Sequence, residues 1–146
     1  MVLVAEVFGV FIARSEFSAS PVVVLRAEDG RILPIYIGFA EAASIYSAMN
    51  RLLPPRPMTH DLLVDIISKL DAKVEKVIID DIIDNTFYAR IILKRDEKEI
   101  EIDARPSDSI AIALRVFCPI FVDSKVLDEA GREDLPSNFK DFAEFA

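Results

Sequence analysis

The chain has 146 residues, 52% of them hydrophobic and 29% charged, a composition that excludes a disordered protein and leaves no room for a second full core. Its net charge of -8 excludes a uniformly basic nucleic-acid-binding surface, so any cationic surface must be local. The single cysteine, Cys118, excludes an internal disulfide and stands in an apolar run typical of a buried, unreactive thiol.

The first half of the chain contains three predicted strands followed by two predicted helices. The strands lie at about residues 2–14, 21–28 and 31–37, and the turn between the last two, Asp29-Gly30, is a strong hairpin signal. Thr59 is the predicted N-cap of the second helix. The apolar stripes consist of Ile45, Ala48, Met49 and Leu52 in the first helix and Leu63, Ile66, Ile67 and Leu70 in the second.

The second half repeats the order of strands and helices. Strands are predicted at about residues 74–83, 86–95 and 98–104, and in the last of them Ile100 and Ile102 point away from the acidic side chains. A helix follows, and its stripe consists of Ile110, Ala113, Leu114 and Phe117. The pattern therefore predicts two similar units.

The end of the chain contains shorter elements. A short apolar run, "PIFV", precedes a short helix that begins at Ser124. In the tail, residues 131–146, Phe139, Phe142 and Phe145 are spaced by three residues, which predicts a terminal helix.

An internal repeat accounts for this order of elements. A shift of 65 residues superposes Ile35 on Ile100, Ser44 on Ser109, Ala48 on Ala113 and Pro54 on Pro119. We therefore predict an α+β fold, built by duplication of a three-strand, two-helix unit, with a mixed, curved or barrel-like sheet and helices packed outside. The predicted domain covers residues 1–130, in units of about 1–72 and 73–130, and the helical tail covers 131–146.

Two segments with an Arg-Pro pair precede predicted helices. They are "RPMTHD", residues 56–61, and "RPSDS", residues 105–109, and the 65-residue shift does not superpose them. Arg56 and Arg105 beside helix N-termini favour an anion site suited to phosphate. The alternative is structural, because proline is harmless at the first helical position and surface arginines form ion pairs.

His60 is the only histidine, so metal pairs of histidines are excluded. A lone histidine beside a helix start is more often structural than catalytic, but carboxylates surround the two segments. Oxygen ligands of this kind suit Mg²⁺ or Mn²⁺ when a substrate phosphate completes the coordination. The carboxylates in question are Glu41, Asp61, Asp103 and Asp108.

Several common catalytic motifs are absent from the sequence. It contains no phosphate-binding glycine loop, no CxxC and no HExxH. No nucleophile elbow is visible, so the sequence gives no support to Ser-His-Asp catalysis. The N-terminal run "MVLVAEVFGVFIAR" includes Glu6 and is too short to span a bilayer, which predicts a cytoplasmic protein without membrane contact.

The segments "LPIYIGFAEA", "PPRPMTHDLL" and "DARPSDSIAIALR" together resemble the bifunctional nuclease domain family, in particular its single-domain bacterial members, over about residues 1–130. The resemblance implies a nuclease that acts on both DNA and RNA. The motif residues that carry over to this chain are Glu41, Arg56, Thr59, His60, Asp61, Asp103, Arg105, Ser107, Asp108 and Arg115.

A hypothesis for the site combines these residues. Asp61, Asp103 or Asp108 would hold Mg²⁺ or Mn²⁺, and His60 would move a proton during phosphodiester hydrolysis, with Glu41 as a further catalytic carboxylate. The predicted phosphate-binding residues are Arg56, Thr59, Arg105, Ser107 and Arg115. Because the chain is acidic, nucleic acid should bind weakly and with strong dependence on salt.

Two other functions fit the same residues. One is a non-enzymatic, oligomeric module that binds a phosphate-bearing ligand or a protein partner. The other places the Arg-Pro segments at contacts between subunits, where arginine is common. A homo-oligomer, with a dimer favoured, is expected in either case.

Overall fold

The computed structural model describes residues 1–145, which form an α+β fold and confirm the predicted class. The strands are β1 Val2–Arg14, β2 Ala19–Ala27, β3 Ile32–Tyr36, β4 Lys73–Ile83, β5 Thr86–Arg95, β6 Lys98–Ala104, β7 Ile120–Asp123 and β8 Phe139–Asp141. The helices are α1 Phe39–Met49, α2 Thr59–Lys69, α3 Pro106–Val116 and α4 Ser124–Ala130, with a 3₁₀ turn at Phe142–Glu144.

The strands of residues 1–145 form one mixed sheet in the order β3-β2-β1-β7-β4-β5-β6, with β8 beside β1. The sheet is open, with β3 and β6 at its two ends, so the barrel-like alternative of the prediction is wrong. In each half, three antiparallel strands are followed by a helix, α1 or α3, as the predicted repeat requires. The "PIFV" run becomes β7, which has no counterpart strand before α2 and lies antiparallel to β1 and parallel to β4.

Turn geometry explains why the hairpins could be predicted. Both Asp84-Asn85 and Asp96-Glu97 have positive φ at their two residues, between +48° and +66°. Two successive left-handed residues match the twist of the flanking strands, which is the geometry of tight two-residue hairpins. Short polar side chains such as Asp and Asn tolerate this conformation better than most residues.

The core lies between the sheet and the helix pair α1 and α3. Ile45 of α1 and Ile110 of α3 are both fully buried, as are Leu33 and Val77 from the two halves of the sheet. The stripes predicted for the two helices therefore face the core, except at their ends. Leu52 and Phe117 lie beyond the last helical residues and are largely exposed.

Helix α2 departs from its prediction. Its stripe residues Leu63, Ile66 and Leu70 are between 38% and 57% exposed, and the buried residue of the helix is His60. Ile102 on β6 is also 41% exposed. These apolar side chains are exposed because β6 is an edge strand and α2 covers it only in part, with a groove between them. Thr59 is the first helical residue rather than the N-cap, which is Met58.

The predicted terminal helix is wrong. The tail instead adds β8 to β1, with Phe139 opposite Ala13, and continues into the 3₁₀ turn. Phe139 and Phe142 are buried, so the apolar spacing marked core residues but not their backbone conformation. Pairing with the part of β1 that β7 leaves free satisfies backbone groups that a helix would not reach.

Two further predictions can be compared with the structure. Cys118 is partly buried, and desolvation raises the pKa of its thiol to about 11, as expected of an unreactive cysteine. Within residues 1–145, none of the helices has the length and apolar character that a bilayer span requires.

Candidate active site

The N-terminal turns of α2 and α3 meet the middle of α1 and bring three side chains together. His60 and Asp108 were predicted as site residues, and Ser44 was not. His60 is the second residue of α2, Asp108 is the third residue of α3, and Ser44 lies in the middle of α1. His60 is 6% exposed, although it stands at a helix start, because α1 and α3 enclose it.

Both ring nitrogens of His60 are hydrogen-bonded. His60 Nε2 is 2.8 Å from Asp108 Oδ1, and His60 Nδ1 is 2.6 Å from Ser44 Oγ. A carboxylate only accepts hydrogen bonds, so Nε2 carries a proton and donates it to Asp108. In the neutral ring Nδ1 is then the acceptor, and the Ser44 hydroxyl donates to it. With a neutral His60 ring, the order of donors is Ser44 to His60 to Asp108.

Arg105 extends this series to the surface. It is the N-cap residue of α3, its Nε donates to Asp108 Oδ2 at 3.1 Å, and its Nη2 lies 3.4 Å from Glu41 Oε2. Its side chain is 65% exposed. The predicted residues Glu41, His60, Arg105 and Asp108 thus form one continuous network with Ser44.

The network fixes charge on Asp108. Burial would raise the pKa of this carboxyl, but hydrogen bonds from His60 and Arg105 and the charge of Arg105 outweigh burial, so the pKa lies below its ordinary value. The hydrogen bond that Arg105 donates to Asp108, and then the charge of Asp108, raise the pKa of Arg105 in turn. Both groups are charged at neutral pH.

A second ion pair lies behind His60. Arg115 Nε donates to Asp61 Oδ1 at 2.8 Å, and Asp61 Oδ2 accepts from the backbone N–H of Met58 at 3.0 Å. Arg115 also donates to the carbonyl oxygens of Ala111, at 2.9 Å, and Ser44, at 3.3 Å. Because it contacts α1, α2 and α3, this guanidinium holds the start of α2 in place.

The Asp61–Arg115 pair predicts acid sensitivity. The hydrogen bond from Arg115 lowers the pKa of Asp61 more than burial raises it. A lowered pKa in the folded state means that stability is complete above the unfolded-state pKa, about 3.9, and is lost as pH falls through the folded-state pKa. We expect Asp61→Asn to be less stable than the unchanged protein at pH 7, and the difference to shrink below about pH 4.

Urea unfolding between pH 2.5 and 7 measures this difference. Asp65→Asn is the matched control, since Asp65 is an exposed aspartate on the same helix, paired only with Lys69, and should change stability by less than about 0.5 kcal/mol. A gap between Asp61→Asn and the unchanged protein that stayed constant with pH would contradict the assignment.

Four predicted site residues lie outside the network. Arg56 and Thr59 are exposed, Asp103 is exposed at the end of β6, and Ser107 is buried in the first turn of α3. Arg56 takes part in none of the ion pairs of residues 1–145. Asp103 does share a groove with Asp108 and Arg105, as its position before the helix suggested.

The predicted metal ligands do not assemble. Residues 1–145 contain no group of three or more His, Cys, Asp or Glu side chains arranged to hold a metal ion. Asp61 is occupied by Arg115, while Asp108 is held by His60 and Arg105. Asp61, Asp103 and Asp108 therefore do not fit a shared metal site, and the chemistry derived below uses the side chains alone.

The site opens on two sides. A groove of about 760 Å³ runs between α2, α3 and strands β5 and β6, and its lining includes Asp108, Arg105, Asp103 and Tyr88. A smaller pocket of about 320 Å³ lies between α1 and the segment before α2, with Ser44, Ser47, Asp61 and Arg115 in its wall. His60 lines neither opening and connects Asp108 of one with Ser44 of the other.

Sequence reasoning missed Ser44 as a functional residue. The lack of a nucleophile elbow gave no support to a Ser-His-Asp site, yet the three side chains are hydrogen-bonded in that order. The available signal was the repeat, which superposed Ser44 on Ser109. These two serines differ in the structure, because the Ser109 hydroxyl donates to the carbonyl of Arg105 while Ser44 reaches the histidine.

Comparisons with known proteins identify the family of this chain. Residues 23–134 match the family model described as the bifunctional nuclease domain. The chain therefore belongs to the bifunctional nuclease domain family, which confirms the resemblance based on the three motifs.

Individual relatives fall into two groups. An uncharacterized protein of Mycobacterium tuberculosis is 44% identical, with 84% of this chain and 82% of the relative covered. Bifunctional nuclease 2 of Oryza sativa subsp. japonica is 33% identical over 73% of this chain, and bifunctional nuclease 1 of Oryza sativa subsp. indica is 28% identical over 71%. The matches span only 34% and 33% of the two rice proteins.

Proposed function

We propose that this protein hydrolyses phosphodiester bonds in DNA and RNA. The observation that carries the proposal is the hydrogen-bonded series from Ser44 through His60 and Asp108 to the exposed Arg105. It joins a proton acceptor to a cation at the edge of an open groove, which are the groups that phosphoryl transfer requires. The names of the plant relatives support a nuclease, and the choice of both DNA and RNA rests on the family resemblance.

The groove between α2 and β6 suits single-stranded nucleic acid. Arg105 would contact a phosphate at its edge, and Tyr88, which is 41% exposed in the wall, offers a face on which a base can stack. Arg56 would add a second cation from the segment before α2. With a net charge of -8 overall, the protein would bind weakly and lose affinity steeply with salt.

The roles of the polar groups follow from their bonds. His60 accepts a proton at Nδ1, and the Asp108 carboxylate stabilises the imidazolium that forms. Glu41 and Asp108 hold the Arg105 guanidinium in position. The metal assistance predicted from the sequence is tested separately, as cleavage in EDTA before and after Mg²⁺ or Mn²⁺ is restored.

Arg105→Met should weaken binding of single-stranded DNA and RNA alike. Removing one phosphate contact lowers the slope of log affinity against log salt by about 0.7, the value for one charge on a single strand. Fluorescence anisotropy of labelled oligonucleotides between 25 and about 200 mM salt measures both effects.

Arg95→Met is the matched control, because Arg95 is exposed and far from Arg105 along the strand. In the β5–β6 ladder it lies opposite Lys98, at the other end of β6 from Arg105. It should leave affinity and salt slope nearly unchanged. Equal losses in the two variants would show that net charge, and not a phosphate contact at Arg105, governs binding.

The second candidate is an oligomeric binding module without catalysis. The exposed apolar side chains of α2 favour it, because apolar patches of this kind are frequent at protein contacts. Binding of nucleic acid or phosphate without cleavage by the purified protein would select this candidate. Sedimentation at several concentrations would measure the predicted oligomer.

A further inference from the structure

His60 is too enclosed to meet a substrate directly. It is 6% exposed, and each ring nitrogen already has a protein partner. A proton can therefore pass between His60 and a bound molecule only through one of those partners. Asp108 is ionised and accepts only, whereas Ser44 presents a hydroxyl whose proton is directed at Nδ1.

Ser44 is half-buried at the wall of the smaller pocket. Ser44 lines the pocket of about 320 Å³ beside α1, together with Arg115. A serine that donates to a histidine, which in turn donates to a partly buried carboxylate, has the arrangement that activates a hydroxyl as a nucleophile. Neither the predicted site residues nor the family match assigns Ser44 a role.

Arg115 supplies positive charge in the same pocket. Its guanidinium has five N–H groups, and three of them bond to Asp61, Ala111 and Ser44. The other two N–H groups have no hydrogen-bond partner among residues 1–145 and can donate to an oxygen that enters the pocket. A fixed cation at this position stabilises negative charge that develops during attack, because its orientation is set before the reaction.

We propose that Ser44 is an activated nucleophile that attacks phosphorus esters, with His60 as its base and Asp108 as the residue that orients His60. The nuclease form of this proposal rests on the function proposed above and requires the scissile phosphate to lie in the smaller pocket at Ser44, with the adjoining strand reaching Arg105 at the groove. The Ser44 Oγ–P bond forms, the proton of Ser44 moves to His60 Nδ1, and the bond from phosphorus to the leaving nucleotide oxygen breaks. That oxygen takes up the proton.

Water then completes the turnover. It attacks the phosphoserine diester and its proton passes to His60. The Ser44 Oγ–P bond breaks, and His60 returns the proton to Ser44 Oγ to regenerate the serine hydroxyl. The products are one nucleotide end with a free hydroxyl and one with a phosphate monoester. No oxidant, reductant or co-reactant other than water is needed.

An alkyl fluorophosphonate tests the nucleophile without any nucleic acid. Attack by Ser44 releases fluoride and leaves a stable phosphonyl group on the peptide that contains Ser44, which mass spectrometry of the digested protein locates. We expect labelling of the unchanged protein, no labelling of Ser44→Ala, and labelling at least about 100-fold slower for His60→Gln. Ser47→Ala is the matched control, because Ser47 lines the same pocket and should not affect the rate.

Two results would overturn the proposal. One is a folded, unchanged protein that does not label, or that labels equally in Ser44→Ala. The other is nucleic-acid cleavage at the same rate by the unchanged protein and by Ser44→Ala. That result excludes Ser44 as the nucleophile but leaves the proposed nuclease activity standing. Labelled Ser44 in a protein that cleaves neither DNA nor RNA supports the nucleophile and rejects the nuclease, so the two proposals fail separately.

Discussion

Replacement of His60 by glutamine should lower the rate of nucleic-acid cleavage by about 10²- to 10⁴-fold and leave binding nearly unchanged. Glutamine can still hydrogen-bond to Asp108, but it cannot accept and release a proton near neutral pH. Because His60 is enclosed and does not face the groove, its loss should affect turnover and not the affinity of the oligonucleotide. Single-turnover cleavage of labelled DNA and RNA, together with anisotropy for binding, separates these two quantities.

The control for this variant must share the helix but not the network. Ser68→Ala lies at the exposed C-terminal end of α2 and should keep full activity. Thermal unfolding of His60→Gln is needed beside it, since a buried side chain is changed. Full cleavage by a folded His60→Gln protein would remove the series of hydrogen bonds from the mechanism.

Ile110→Ala should lower the free energy of unfolding by about 2–5 kcal/mol. Ile110 is fully buried in α3, two residues after Asp108, and packs in the core between α3 and the sheet. Truncation removes three carbon atoms from a close-packed region and leaves a cavity that the surrounding helices can fill only in part. Urea unfolding at pH 7 measures the loss.

Ile66→Ala offers the comparison that tests burial. Ile66 is 46% exposed on α2, although its place in the apolar stripe resembles that of Ile110 in its own helix. We expect it to cost less than about 1 kcal/mol, because nearly half of its surface already contacts water. Equal losses at the two positions would indicate that α2 is covered in solution.

The contrast between these isoleucines shows how far local pattern reaches. Hairpins and the stripes of α1 and α3 were predictable, because turn residues and apolar spacing act within a few residues of one another. The exposure of the apolar residues of α2 depends on which element packs against the helix. The sequence of the helix alone contains no information about that element. The prediction for the tail was wrong for the same reason, because pairing with the distant strand β1 determines its backbone conformation.

The site was predicted in part for the same physical reasons. Arg105 and Asp108 are three residues apart at one helix start, so their meeting followed from local spacing. The Asp61–Arg115 and Ser44–His60 contacts join residues 54 and 16 positions apart, and the packing of three helices brings them together. For that reason the sequence predicted separate roles for Asp61 and Arg115, although the two side chains form an ion pair with each other.

The position of β7 also determines when this protein can fold. Val2–Ala5 of β1 pair with Ile120–Asp123, so the two halves of the sheet are joined by a strand that is synthesised after β1 to β6. Until then the first half carries an open strand edge at β1, which can pair with another chain. Contacts between such distant residues also slow folding, because a long loop must close first.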